Sequence, residues 1–103
     1  MFFLVSKGVS VYAQQLETTV ATDFDNYIKQ IISANEHIDL GIDDSDWHFY
    51  AIPIKSEKRE LCNTVIKFLN SGETHMFRNG SVIWEVTYDK DNDRFILHMW
   101  TYM

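Results

Sequence analysis

The sequence predicts an α+β domain with two or three helices laid on an antiparallel sheet of four or more strands. Three observations carry this expectation. A wide apolar stripe recurs at helical spacing between Ser56 and Ser71, an Asn79-Gly80 turn signal separates two apolar runs, and alternation runs through the aromatic stretch that begins at Trp47. The chain has 103 residues, 46% of them hydrophobic and 15% aromatic, with four Gly and one Pro. That composition suits one packed core, residues 1–103 as a single domain, and excludes a disordered or collagen-like tract.

Taken in order, Phe2–Val5 reads as a short strand ended by Lys7-Gly8. Residues Ser10 to Glu17 follow a helical face through Val9, Tyr12, Ala13 and Leu16, although Thr18-Thr19-Val20 favours β structure. A helix is expected from Asp23 to Asn35, with Thr22 as cap and Phe24, Tyr27, Ile28, Ile31 and Ile32 as its buried stripe. Glu36 to Asp46 reads as an acidic turn around Gly41, and Trp47 to Ile54 as a strand whose end is marked by Pro53. One face of that strand is expected to be core, with His48 and Tyr50 pointing outward.

The strongest helix spans Ser56 to Ser71. Ser56 is placed to cap it, Glu57 and Glu60 sit near the positive end of its dipole, and Gly72 closes it. Asn79 and Gly80 predict a type I′ hairpin joining Thr74–Arg78 to Ser81–Tyr88, and the polar run Asp89–Asp93 returns the chain into Arg94–Tyr102. With Tyr88 opposite Arg94, Trp84 would face His98 and Val82 would face Trp100, while Ile83, Leu97 and Met99 share the other face. Both faces are apolar enough to be covered.

Fifteen acids against nine Lys and Arg leave a net charge of −6, and the excess is local. From Glu17 to Asp46 there are eight acids and only Lys29, a balance of −7. Such a chain is repelled by phosphate backbones, which argues against direct nucleic-acid binding. The apolar run at Phe2–Val5 is too short for a secretory leader and no stretch has the length of a membrane span, so a cytoplasmic protein is expected. The single Cys62 fits a reducing compartment and lies on an apolar helical stripe, where a thiol is inert.

No catalytic or metal-binding motif can be written. Asp89-x-Asp91-x-Asp93 resembles the start of a calcium loop, but Arg94 stands where Gly is needed and Trp100 where a bidentate Glu should close the site. The histidines lack zinc spacing. His75 and His98 flank the strand carrying Trp84 and are the pair that strand packing would bring together for acid–base work. What stands out is the segment in which Glu36, Asp39, Asp43, Asp44 and Asp46 run into Trp47, His48 and Tyr50. Carboxylates beside aromatics are a good anchor for a basic protein surface.

Size, acidity, a one-domain α+β layout and the lack of a catalytic motif together resemble the small immunity proteins of bacterial contact-dependent growth inhibition systems. The resemblance spans the whole chain and assigns no individual residue. It implies a non-enzymatic cytoplasmic inhibitor, without cofactor, that binds the C-terminal domain of a cognate toxin, a basic nuclease. Its carboxylates would imitate phosphate in the toxin's active-site cleft. A phage-type inhibitor of a host nuclease, a small histidine-dependent enzyme and a homodimeric accessory domain are the other classes the residues allow.

Overall fold

A computed structural model describes residues 15–101. They form helix α1 (Thr18–Ser33), strands β1 (Ile38–Ile42) and β2 (His48–Ile52), a 3-10 turn (Ser56–Lys58) leading into helix α2 (Arg59–Asn70), and strands β3 (His75–Asn79), β4 (Val82–Asp89) and β5 (Arg94–Thr101). The strands make one antiparallel sheet in the order β1-β2-β5-β4-β3, giving the expected α+β class. The Phe2–Val5 strand and the part of the Ser10–Glu17 helix before residue 15 lie outside the described residues, as does Tyr102. Residues 15–17 are not helical.

Helix α1 starts more than a turn before the expected Asp23, and Thr22 lies inside it. The cause is Glu17, whose carboxylate accepts from the amides of Thr19 at 2.6 Å and Val20 at 3.3 Å. Two otherwise orphaned first-turn donors are thereby satisfied, which outweighs the β preference of the threonines. The helix ends in a Schellman motif: Asn35 adopts φ 58°, its amide donates to Ile32 O, and the Glu36 amide donates to Ile31 O. Ser56 does not cap α2. A 3-10 turn comes first, and α2 begins at Arg59 with no side-chain cap. Gly72 follows α2 with φ 95°, as expected.

Phe24, Tyr27, Ile28 and Ile31 of α1 and Cys62 and Val65 of α2 pack on Ile52, Trp84, Val86, Phe95 and Leu97. Alternate strand residues point to one face, so both helices lie on the same side of the sheet. Tyr27 fastens α1 to the chain after β2, its hydroxyl donating to Pro53 O and accepting from the Lys55 amide at 3.1 Å. His75 pairs with Asp25 at 2.6 Å and ties β3 to α1.

Two hairpins correct the sequence reading. Asn79 pairs with Val82, leaving Gly80-Ser81 as the loop, and only Gly80 has positive φ. This is the II′ pattern, because glycine occupies the first central position and not the second. Between β4 and β5 the register places Asp89, not Tyr88, opposite Arg94. Arg94 Nε donates to Asp89 Oδ2 at 2.9 Å, and this ion pair holds the strands one residue from the expected alignment. Every facing changes with that shift. Trp84 lies opposite Met99 on the helix side, while Ile83 faces Trp100 and Glu85 faces His98 on the other. No described helix packs on that second face, so the expectation of two covered faces is not met among the described residues.

Candidate functional site

Gly41 belongs to a strand and not to the expected turn. Ile38-Asp39-Leu40-Gly41-Ile42 forms β1, paired only with β2, with a register shift between Asp39 and Gly41 and φ 95° at Gly41. The period-two recurrence of Ile38, Leu40 and Ile42 is the signal that marks it. A tight loop then reverses the chain. The Asp43 amide donates to Trp47 O at 3.1 Å, the Asp46 amide donates to Asp43 O at 3.1 Å, and Asp46 adopts φ 64°. Aspartate tolerates that left-handed conformation better than most residues.

The acidic cluster divides by what each carboxylate does. Glu36 pairs with Lys55 at 2.7 Å, and this partner raises the Lys55 pKa. Asp39 Oδ1 lies 2.8 Å from His48 Nε2 and accepts from the Gly41 amide at 2.8 Å. First the His48 bond and then the Gly41 amide hold its carboxyl below the usual range. Asp43 Oδ1 accepts from the amides of Ser45 at 2.9 Å and Trp47 at 3.0 Å, so this side chain builds the turn. Glu17 caps α1 and Asp25 holds His75. Among the described residues, only Asp23, Asp44 and Asp46 of the eight acids have side chains outside any hydrogen bond or ion pair. The −7 segment is mostly internal scaffolding. Its unspent charge sits at the β1–β2 tip and on the first turns of α1.

The aromatic candidates separate to opposite faces. His48 and Tyr50 point to the helix side, correcting the expectation that they face outward. His48 stacks on Tyr50 at 4.4 Å, and His37 meets the same ring edge-on at 4.8 Å. Burial, aided by the Asp39 charge, pushes the Tyr50 phenol up from its ordinary value. Trp47 takes the other face, stacked on Trp100 at 4.5 Å, and Phe49 stacks there on His98 at 4.4 Å. His98 and Trp100 are site neighbours that the sequence reading missed. An Asp89–Arg94 cross-strand ion pair would have revealed them by fixing the register.

His75 and His98 do not come together. His75 is buried on the helix side against Phe24, whereas His98 is on the other face with Glu85 Oε1 3.8 Å away. Cys62 is fully buried and its thiol is pushed up to about 11, chiefly by burial, which keeps it protonated at neutral pH. Among the described residues no group of three or more His, Cys, Asp or Glu side chains is arranged to hold a metal. Two of the three aspartates of the calcium-like run, Asp89 and Asp93, serve the fold. Arg59 grips Asp93 with both terminal nitrogens at 3.3 and 2.7 Å, Tyr88 donates to Asp93 at 2.6 Å, and Asn92 and Arg94 donate to Asp89.

These partners hold the Asp93 carboxyl (through Arg59, then Tyr88) and the Asp89 carboxyl (through Asn92, then Arg94) below the ordinary 3.8. A carboxyl depressed in the fold contributes stability above its unfolded pKa and loses it as pH falls through the folded value. Thermal melts should therefore show an acid limb that develops below about pH 4. Asp93→Asn should make that limb shallower, and an unchanged limb would mean that the Arg59–Asp93 pair does not form in solution.

No helix among the described residues is long and apolar enough to cross a membrane. Comparison with protein-family models, with curated proteins and with solved structures finds no match to this chain.

Proposed function

We propose that this chain is a protein-binding inhibitor that docks on a cationic groove of a partner. In its specific form it is a cytoplasmic immunity protein that neutralises the nuclease domain of a cognate toxin by blocking its active site. The observation that carries the reading is the tip of the β1–β2 hairpin. Asp44 and Asp46 are exposed, lack a side-chain partner among the described residues and adjoin Trp47, whose ring is stacked on Trp100. Unpaired carboxylates steer a basic surface toward the tip, and the adjacent aromatic pair offers apolar area for contact once it arrives. The net charge of −6 supports the same sign of partner and disfavours direct contact with nucleic acid.

The test starts from the gene neighbouring this one and the basic C-terminal domain it would encode. That domain should co-purify with the chain, and its nuclease activity should be suppressed stoichiometrically. Asp44→Asn/Asp46→Asn should lower affinity by about tenfold at low salt, since each exposed pair contributes modestly. It should also flatten the salt dependence of association, because rim charges act mainly on encounter. The double variant binding as tightly as the native chain, with the same salt slope, would remove the acidic tip from the interface. Asp43→Asn is the wrong probe, since Asp43 holds the turn.

A further inference from the structure

We infer that the outer edge of β1 is a strand-addition site for a partner segment that alternates basic and apolar residues. This rests on the reading above that the partner is basic, and it adds a second contact of different chemistry. β1 ends the sheet: β2 pairs with one side and no described strand pairs with the other. An end strand presents backbone donors and acceptors that another strand can match. Ile38, Leu40 and Ile42 are 53%, 45% and 62% exposed, so every aliphatic side chain of the strand is available. The opposite edge is less inviting. On β3, His75 is buried against α1, Arg78 adds a positive charge, and Met76 is the one strongly exposed large hydrophobic.

Charge decides between occupants. Residues 37–46 hold Asp39, Asp43, Asp44 and Asp46 with no Lys or Arg, while Glu36 is already paired with Lys55. A second copy added edge to edge would bring two such sets together and be repelled, whereas a strand carrying Lys or Arg meets opposite charge toward the Asp43–Asp46 end of the edge. The bulge at Asp39/Gly41 ties the Gly41 amide to Asp39 Oδ1 at 2.8 Å and breaks the ladder. That limits the edge to a short partner strand and discourages open-ended self-association.

The full-length chain, isotopically labelled, is titrated with acetyl-Lys-Val-Lys-Val-Lys-Val-Lys-amide at low salt while amide shifts and hydrogen exchange are followed. The expected result is slowed exchange confined to residues 38–42 and their neighbours. Methylating alternate peptide nitrogens should weaken binding by about tenfold or more, because several ladder bonds are lost together. A Glu-for-Lys peptide should not bind. Equal binding of the methylated peptide, shifts centred on β3, or no binding at millimolar peptide would each overturn the inference. So would protection, already present in the free monomer, of those amides of residues 38–42 that bond neither to β2 nor to Asp39, or a peptide-free dimer protected at β1. The Asp44→Asn/Asp46→Asn variant separates the two readings. If it still protects residues 38–42 with the Lys-Val peptide but keeps native affinity and salt slope for the toxin domain, the acidic-tip reading fails and the edge stands.

Discussion

Phe24→Ala is expected to destabilise the protein by about 3–5 kcal/mol. Phe24 has no solvent exposure, meets Phe95 edge-on at 4.9 Å, and lies between the helical layer and the sheet. Its removal leaves a cavity that α1 cannot close without giving up the contacts of Ile28 and Ile31. Domains of this size have total stabilities of about 5–15 kcal/mol, so the variant should melt more than about 10 °C lower and populate unfolded chains measurably. Phe24→Leu, which keeps much of the volume, should cost clearly less. Thermal and urea denaturation provide the check. A cost near zero for Phe24→Ala would mean that α1 does not pack on the sheet through this ring.

His75→Ala is the second large effect, expected at about 1–3 kcal/mol from the unpaired group left behind and the lost ring contacts. His75 is one of the few polar residues in the core, and its bond to Asp25 Oδ1 spans two elements distant in sequence. The ring also lies against Phe24 at 5.9 Å and Phe77 at 5.9 Å. A double-mutant cycle with Asp25→Ala should return a coupling of about 0.5–3 kcal/mol. Additive single losses would show that the imidazole acts only as packing. Neither residue belongs to the hairpin tip, so partner binding, corrected for the folded fraction, should stay at the native level in both single variants.

Much of the fold is legible because periodicity is local. The stripe of Phe24, Tyr27, Ile28 and Ile31 and the pair Cys62 and Val65 are visible as helical faces, and they are the residues buried against the sheet. The errors come from positions where one side chain overrides a propensity. Glu17 lengthens α1 by accepting from its first amides, and Arg94 chooses Asp89 over Tyr88 and shifts β5 by one residue. β1 escaped notice because acids at Asp39 and Asp43 and the glycine between them read as turn chemistry, although the aliphatic alternation was present. The candidate site was legible only in outline. The stretch from Glu36 to Tyr50 was marked by charge and aromatic content, but nothing local indicates which carboxylates are already engaged.

By itself the sequence determined the fold class, the two helical faces, the hairpin between β3 and β4 and the concentration of acid before Trp47. Those features depend on spacing within a few residues, where backbone geometry leaves few choices. Tertiary structure alone decided the strand register, which face of β2 meets the helices, the distance between His75 and His98, and the reduction of eight acids to three with no side-chain partner among the described residues. These depend on which groups folding places side by side, some near in the chain, as Asp89 and Arg94 or Asp43 and Trp47, and some distant, as Asp25 and His75. A single displaced cross-strand pair turns every side chain of a strand over, and a carboxylate's availability to a partner depends on which amide, arginine or imidazole folding has already placed beside it.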